Sequence, residues 1–145
     1  MKMEIRELKR DEIEAATKLI WETFLEFVAP DYSEQGVESF RRFIFDESAA
    51  EELEFFGAFE NDELIGVLSA NGDGHICCFF VKASRQGRGV GRSLWEYYRD
   101  RGGRSAFTVN SSPYATPVYH SLGFKDAAAE RLSDGIKYTP MKYEK

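Results

Sequence analysis

The segment 81-VKASRQGRGVGRSL-94 decides the fold of this chain of 145 residues. It ends a dense apolar run over residues 75–81, which is typical of a buried strand. It leads into residues 89–101, where apolar side chains recur at helical spacing. Between the two patterns, glycines alternate at positions 87, 89 and 91. The segment therefore predicts a strand, a glycine-rich loop and a helix in direct succession.

The loop has the properties of an anion-binding site. Glycine adopts positive φ at little cost and lets the backbone approach a ligand closely. The free amides at a helix start attract negative charge, and Arg88 and Arg92 add positive charge beside them. The pattern therefore predicts a site for a phosphate or pyrophosphate group.

Two common phosphate-binding loops do not fit this segment. A Walker loop enters its helix with Gly-Lys-Ser/Thr, whereas Gly91-Arg92-Ser93 stands here with a different glycine spacing. The dinucleotide-binding fingerprint needs a third glycine where Arg92 stands, and it needs a βαβ unit, whereas a run of antiparallel strands is predicted before this loop. Another class of phosphate-bearing ligand is therefore expected.

The rest of the chain predicts an α+β fold, with a mixed, mostly antiparallel central sheet flanked by helices, in a single domain over residues 1–145. Asp11 is expected to cap a helix that reaches residue 29, and Ser33 to begin a second one; residues 46–54 read as a solvated connection. A short helix before Gly123 starts at Ser112-Pro113 or at Thr116. Further strands are predicted at 54–59, 64–70, 106–110, about 125–131 and 136–143.

The composition excludes several classes of protein. The net charge is −6, and no dense basic tract is present to bind a nucleic-acid backbone. No run approaches the roughly 20 apolar residues of a membrane helix, and the charged N-terminus lacks the apolar core of a signal peptide, so a cytoplasmic protein is expected. Cys77 and Cys78 are adjacent and the only histidines are His75 and His120, a pattern that predicts neither a disulfide nor a metal site.

Two motifs carry a family resemblance. Gln86-x-x-Gly89-x-Gly91 after an apolar strand resembles the acyl-CoA pyrophosphate loop of the GNAT superfamily of N-acetyltransferases. Asn110 at the end of the next strand, followed by 119-YHSLGF-124, is similar to that family's Asn…Tyr-x-x-x-Gly-Phe segment. The order of predicted elements also suits the family fold, so the resemblance covers nearly the whole chain.

The resemblance implies acetyl-CoA as the acyl donor, without a metal. The strands that end at Val81 and Asn110 should separate to admit the pantetheine arm. The amide of Val81 would hold the pantetheine or the acetyl carbonyl, and Asn110 would bind the pantetheine near the thioester. Amides from Gly87 to Arg92 would wrap the pyrophosphate. The implied cofactor-binding residues are Val81, Gln86, Gly87, Arg88, Gly89, Val90, Gly91, Arg92 and Asn110.

The resemblance also implies that Tyr119 protonates the departing thiolate of CoA. A phenol with an ordinary pKa of about 10 is a suitable proton donor to a sulfur of comparable basicity. Two functions stay open: an N-acetyltransferase that lets a primary amine attack acetyl-CoA directly in a ternary complex, and a non-catalytic acyl-CoA-binding sensor or regulatory module. The presence of Tyr119 favours the enzyme.

The acceptor is less well defined. A small-molecule amine or a peptide is expected, and a homodimer is an open alternative because many members of the family dimerise. Phe24 and Phe27 belong to an inward apolar stripe, whereas Trp21 and Tyr32 are expected to form the wall of the acceptor pocket. With nearby carboxylates such a pocket would suit a small cationic amine. The general base is left open among Glu22, Glu26, Asp31, Tyr32, His75 and water.

Overall fold

The computed structural model describes residues 3–145, and it has the expected α+β fold with a mostly antiparallel sheet. Within these residues the strands are β1 (Met3–Glu7), β2 (Glu54–Glu60), β3 (Glu63–Ala70), β4 (His75–Val81), β5 (Ala106–Ser111), β6 (Lys125–Asp126), β7 (Arg131–Ser133) and β8 (Ile136–Glu144). The helices are α1 (Ile13–Phe27), α2 (Glu34–Ile44), α3 (Glu47–Glu51), α4 (Val90–Asp100) and α5 (Thr116–Ser121).

A gap opens in the middle of the sheet. The strand order is β1-β2-β3-β4-β5-β8-β6, with β7 also paired to β8, and only β4 and β5 are parallel among the paired strands described. Their pairing is limited to His75 with Thr108 and Ile76 with Val109. Directly after Ile76, β4 carries one residue more than β3, because Ala70 pairs with Ile76 and Ser69 with Cys78. Such a bulge bends its strand and increases the twist, which explains why β4 leaves β5 here, as the family resemblance implies.

Apolar side chains pack on both faces of the sheet. On one face, Leu19 and Ile20 of α1 contact a cluster that includes Val67 and Cys78. On the other face, Leu94 and Trp95 of α4 are fully buried in a cluster that also contains Tyr119 of α5. The gap between β4 and β5 therefore lies between two well-packed helical layers.

Two predictions about the first half of the chain were wrong. Asp11 does not cap α1, because residues Arg10–Glu12 form a 3₁₀ turn before the helix begins at Ile13. The connection at 46–54 contains the helix α3, whose first amides are bound by the Asp46 carboxylate at 2.9 and 3.2 Å. A side-chain cap of this kind stabilises even a short helix with few apolar residues.

Three differences concern the strands and the last helix. The strand β1 was not predicted, because its five residues include three charged ones. Only Met3 and Ile5 are apolar, and both are partly buried against the core. The strand expected at 125–131 is two short strands separated by an irregular segment that is rich in alanine. The last helix begins at Thr116 and not at Ser112, which leaves Pro117 in its first turn, where the missing N–H breaks no helical hydrogen bond.

Candidate active site

The gap between β4 and β5 leads into a cleft of about 400 Å³. We call one end the loop half; it is lined by Arg85, Gln86, Gly87, Gly89, Val90, Gly91 and Arg92. We call the other end the helix half; it is lined by Thr23, Phe24, Val28, Tyr32, Phe40, Cys78 and Phe80. The ends of β4 and β5 and the helix α5 line the cleft between the two halves.

The structure brings together all but one of the cofactor-binding and catalytic residues that the family resemblance implies. The cleft is lined by Val81, Gln86, Gly87, Gly89, Val90, Gly91, Arg92, Asn110 and Tyr119. Arg88 is exposed and lies outside this lining. The residues come from β4, the glycine loop, α4, β5 and α5, and the separation of β4 from β5 is what lets them face one space.

Backbone amides form the surface of the loop half. Gly87 and Gly89 have φ angles of 76° and 83°, in the left-handed region that favours glycine. The first hydrogen bond of α4 runs from the Ser93 N–H to the Gly89 carbonyl at 3.0 Å, so the preceding amides of the helix have no partner within it. These amides and the positive end of the helix dipole suit an anionic group.

A tyrosine that the sequence did not point to bridges the cleft. The Tyr114 hydroxyl donates to Gln86 Oε1 at 2.9 Å, and its ring stacks on Phe27 at a centroid distance of 5.0 Å. The Gln86 side chain in turn donates to the Val81 carbonyl at 3.0 Å. Tyr114 therefore connects α1 to the glycine loop across the opening. No sequence signal marks it, since it lies in an irregular segment and is 42% exposed.

Tyr119 is held at the side of the cleft with its ring buried. The ring packs at centroid distances of 5.8 Å from Phe79 and 5.3 Å from Phe124. Burial is the main cause that raises the pKa of its phenol above the ordinary value. The phenol is therefore protonated at neutral pH and is available as a donor to a base that forms in the cleft.

The segment after Tyr119 is a helix stop that fixes this ring. The Phe124 N–H donates to the Tyr119 carbonyl at 3.0 Å and the Gly123 N–H to the His120 carbonyl at 3.1 Å, while Gly123 has a φ of 103°. This is the Schellman arrangement, in which a glycine with positive φ ends the helix and the next residue packs back on it. The Gly-Phe pair therefore has a structural reason: it closes α5 and places Phe124 against Tyr119.

Aromatic rings form the helix half. Phe24 is fully buried, stacks on Phe40 at 4.1 Å and meets Tyr32 at 5.4 Å. Phe40 in turn meets Phe80 of β4 at 6.2 Å. Of the two pocket residues expected from the sequence, Tyr32 lines the cleft but Trp21 does not, because it packs outside it on Phe24 and Phe45. Phe24, which its spacing places on the inward stripe of α1, belongs to the core and also lines the cleft.

The suggested general bases are spread over the molecule. Glu22 and Glu26 are exposed on α1, and Asp31 is exposed in the turn that follows. His75 lies at the start of β4, where its Nδ1 is 2.8 Å from the Thr108 hydroxyl, and burial lowers its pKa. Of the named side chains only Tyr32 lines the cleft, and burial raises its pKa to about 12.

Cys77 and Cys78 are free thiols in the lining of the cleft, and burial raises the pKa of both. Across residues 3–145 no group of three or more His, Cys, Asp and Glu side chains is arranged to hold a metal ion. In the same range, no helix has the length and apolar character needed to cross a membrane.

Comparison with known proteins agrees with this geometry. The family model described as "Acetyltransferase (GNAT) domain" matches residues 28–145. This match covers most of the chain, and the protein belongs to the GNAT family of acetyltransferases. No curated protein sequence matches the chain significantly.

Solved structures with the same fold match the chain from end to end. A GCN5-related N-acetyltransferase from Rhodopseudomonas palustris superposes with a TM-score of 0.84 at 20% identity, covering 100% of this chain and 99% of that one. The PaiA N-acetyltransferase from Thermoplasma acidophilum, in complex with coenzyme A, has a TM-score of 0.73 at 21% identity and full coverage of both chains. An aminoglycoside 6'-N-acetyltransferase complexed with coenzyme A has a TM-score of 0.64 at 13% identity, covering 97% of this chain and 96% of that one.

Proposed function

We propose that the protein transfers an acetyl group from acetyl-CoA to the primary amine of an acceptor, by direct attack within a ternary complex. The observation that carries the proposal is the cleft itself. It joins an amide-lined loop, a gap between two strands and a protonated tyrosine in one continuous space. The membership of the chain in the GNAT family supports the same reaction class.

The loop half fits the pyrophosphate of CoA. The amides after Gly87 offer donors to the phosphate oxygens, and Arg92 adds a positive charge at the same end. The gap between β4 and β5 then takes the pantetheine arm, with Val81 and Asn110 on its two sides. When bound, acetyl-CoA supplies an activated acyl group on a thiol leaving group. Two structural neighbours that hold coenzyme A support this choice of cosubstrate.

Tyr119 has the position and protonation state of a proton donor. The amine nitrogen forms a bond to the acyl carbon, the carbon–sulfur bond breaks, and the nitrogen releases one proton to solvent. Tyr119 gives its proton to the departing sulfur and recovers one from solvent. A phenol is protonated at neutral pH, and donors of this kind contribute about 10²–10⁴-fold to rate. The backbone amide of Val81 stands at the end of β4 to stabilise charge on the acyl oxygen.

Thermal unfolding with increasing acetyl-CoA tests the first half of the proposal. CoA is a second ligand, and ATP and NAD are controls that carry phosphates without a pantetheine arm. A ligand at about 100 times its Kd stabilises a fold by roughly 2.7 kcal/mol, which raises Tm by several degrees for a chain of this size. We expect the shift with both CoA compounds and not with the controls.

Release of free thiol from acetyl-CoA in the presence of amines tests the second half. Absence of a CoA-selective shift would contradict the assignment of the loop. A selective shift without turnover on any amine would instead identify the protein as an acyl-CoA-binding module.

A further inference from the structure

The lining of the cleft contains no acidic side chain. Among the described residues that line it, no Asp, Glu or His is present, and the charged ones are Arg85 and Arg92, both in the loop half. Arg85 is paired with Glu60 at 3.0 Å, on the outer side of the loop. The carboxylates of α1 and of the turn after it, at Glu22, Glu26 and Asp31, are exposed and do not reach the lining.

A protonated amine finds no carboxylate in the lining of the helix half, and the nearby charge of Asp31, which acts on Tyr32, lies on the exposed side of the turn. Taking an unpaired ammonium group from water into apolar surroundings carries a large free-energy cost. The other titratable side chains along the cleft that could take its proton are Tyr32, Cys77, Cys78, Tyr114 and Tyr119. Burial raises the pKa of both thiols and of Tyr32, so these groups keep their protons at neutral pH. A basic alkylamine therefore meets no carboxylate and no side-chain base among the residues that line the cleft.

The helix half is shaped by rings. Phe24 packs on both Phe40 and Tyr32, and Phe40 meets Phe80 of β4 edge-on. Faces and edges of such rings favour another aromatic ring in stacked or edge-to-face contact. A cavity of about 150 Å³ is enough for benzene. The cleft has about 400 Å³ over both halves, and the helix half is the part that the proposed cosubstrate leaves for the acceptor.

We propose that the acceptor is an arylamine, a compound whose amino group is attached directly to an aromatic ring and is uncharged at neutral pH. This inference rests on the proposed acetyl transfer and names its substrate class. It replaces the small cationic amine that the sequence suggested, because the carboxylates expected near the pocket lie outside it.

The reaction then needs no side-chain base. The lone pair of the neutral nitrogen bonds to the acyl carbon and the carbon–sulfur bond breaks. The nitrogen becomes acidic as this bond forms, and it gives its surplus proton to water. Tyr119 protonates the sulfur and regains a proton from solvent. Arylamine and acetyl-CoA thus yield the N-acetyl arylamine and free CoA, with no oxidant or metal involved.

A panel of three amines tests the proposal on the unmodified protein. Aniline is neutral at pH 7, benzylamine has the same ring but is protonated, and cyclohexylamine is protonated and lacks the aromatic ring. We expect kcat/KM at pH 7, measured by thiol release from acetyl-CoA, to be at least tenfold higher for aniline than for either other amine. A higher value for benzylamine or cyclohexylamine would overturn the arylamine inference and leave the proposed acetyl transfer standing.

Failure of all three amines, together with failure of a broad set of amines and peptides, would overturn the proposed function itself. A binding measurement separates the two cases. In the presence of CoA, aniline should raise Tm further and benzylamine at the same concentration should not. The reverse order of the two Tm shifts would also overturn the inference.

A pair of variants tests the role of the rings. Phe40→Leu removes a ring that lines the cleft, and Phe45→Leu removes one that is 51% exposed just beyond the same helix and outside the lining. We expect Phe40→Leu to raise KM for aniline about tenfold with little change in kcat, and Phe45→Leu to change neither. Thermal unfolding of both variants checks that they fold. Equal KM values for folded Phe40→Leu and the unmodified protein would contradict the proposed ring contact.

Discussion

In the loop half of the cleft the backbone forms the surface, whereas in the helix half side chains form it. A side chain added at Gly87 or Gly89 would meet nothing within 4 Å, so the loop half is open around these positions. In the helix half, Phe24 is fully buried, and the start of the helix that carries Phe40 is packed tightly against the turn between β7 and β8. The first half depends on backbone angles and the second on packing, so different substitutions should damage them.

The largest effect is expected in the space shared by the two halves. Tyr119→Phe removes the proton donor but keeps the ring between Phe79 and Phe124. We expect kcat to fall by about 10²–10⁴-fold, with the Tm shift caused by CoA unchanged. Tyr138→Phe, in a half-buried position on β8 outside the cleft, is the control. Full activity of Tyr119→Phe would exclude the phenol as the donor.

The second-largest effect is expected where α2, which carries Phe40 of the helix half, packs on the turn between β7 and β8. A Cβ at Gly36 would lie 2.2 Å from the Gly135 carbonyl oxygen, a backbone atom that cannot move aside easily. Alanine usually stabilises a helix relative to glycine, but here overpacking should dominate and lower the free energy of unfolding by about 1–3 kcal/mol. Gly72→Ala, in open space, is the control in the same thermal unfolding experiment. A Tm for Gly36→Ala at or above that of the unmodified protein would contradict this expectation and show that the turn at Gly135 moves to make room for the methyl group.

A matched pair of glycines tests the backbone of the loop half. Gly89 and Gly102 have φ angles of 83° and 90°, and an added Cβ would be in open space at both. Alanine at either position should cost about 1–2 kcal/mol of stability, because the left-handed region disfavours a Cβ. Only Gly89→Ala should also weaken the binding of CoA. We expect its Kd to rise roughly tenfold, which corresponds to about 1.4 kcal/mol. Similar Kd values for the two variants would show that the glycine loop does not bind CoA.

The smallest effect concerns the contact that spans both halves. Tyr114→Phe removes the hydrogen bond to Gln86 at 2.9 Å and keeps the stacking on Phe27. A hydrogen bond of this type contributes about 0.5–1.5 kcal/mol, so the Kd for CoA should rise by a few-fold at most. Tyr97→Phe removes an exposed bond from Arg101 on the far side of α4 and should leave Kd unchanged. Tighter CoA binding by Tyr114→Phe would mean that the bridge obstructs the cleft.

The same contrast explains what the sequence could predict. The loop half lies within one short segment, and its function depends on glycines at φ angles that only glycine adopts readily, so residue identity and spacing were enough to find it. The fold class followed from the order of the predicted elements, in which helices precede a run of antiparallel strands and strands then alternate with helices. Gln86 was found through its spacing from Gly89, although its side chain bonds to Val81 and Tyr114 within the protein.

The helix half could not be predicted in this way. Its rings come from α1, α2 and β4, which meet only in the folded chain. Helical spacing places Phe24 on the inward face of α1, but the pattern is the same for a ring inside the core and a ring at the edge of a cleft. Trp21 lies outside the cleft because it packs on Phe45, which follows α2. That contact depends on where α2 lies in the fold, which the local sequence around Trp21 does not encode. The wrong prediction that Trp21 lines the cleft follows from this limit.

The two-pair ladder between β4 and β5 has a consequence for how the protein behaves on storage. Beyond that ladder each strand turns an edge toward the cleft, and free strand edges are templates on which other chains pair and aggregate. In this molecule the two edges face the cleft, whose opening Tyr114 bridges, so another chain can pair with them only when the molecule is partly opened. A compound bound between the strands would keep them covered, and we therefore expect concentrated samples to precipitate more slowly with CoA than without it.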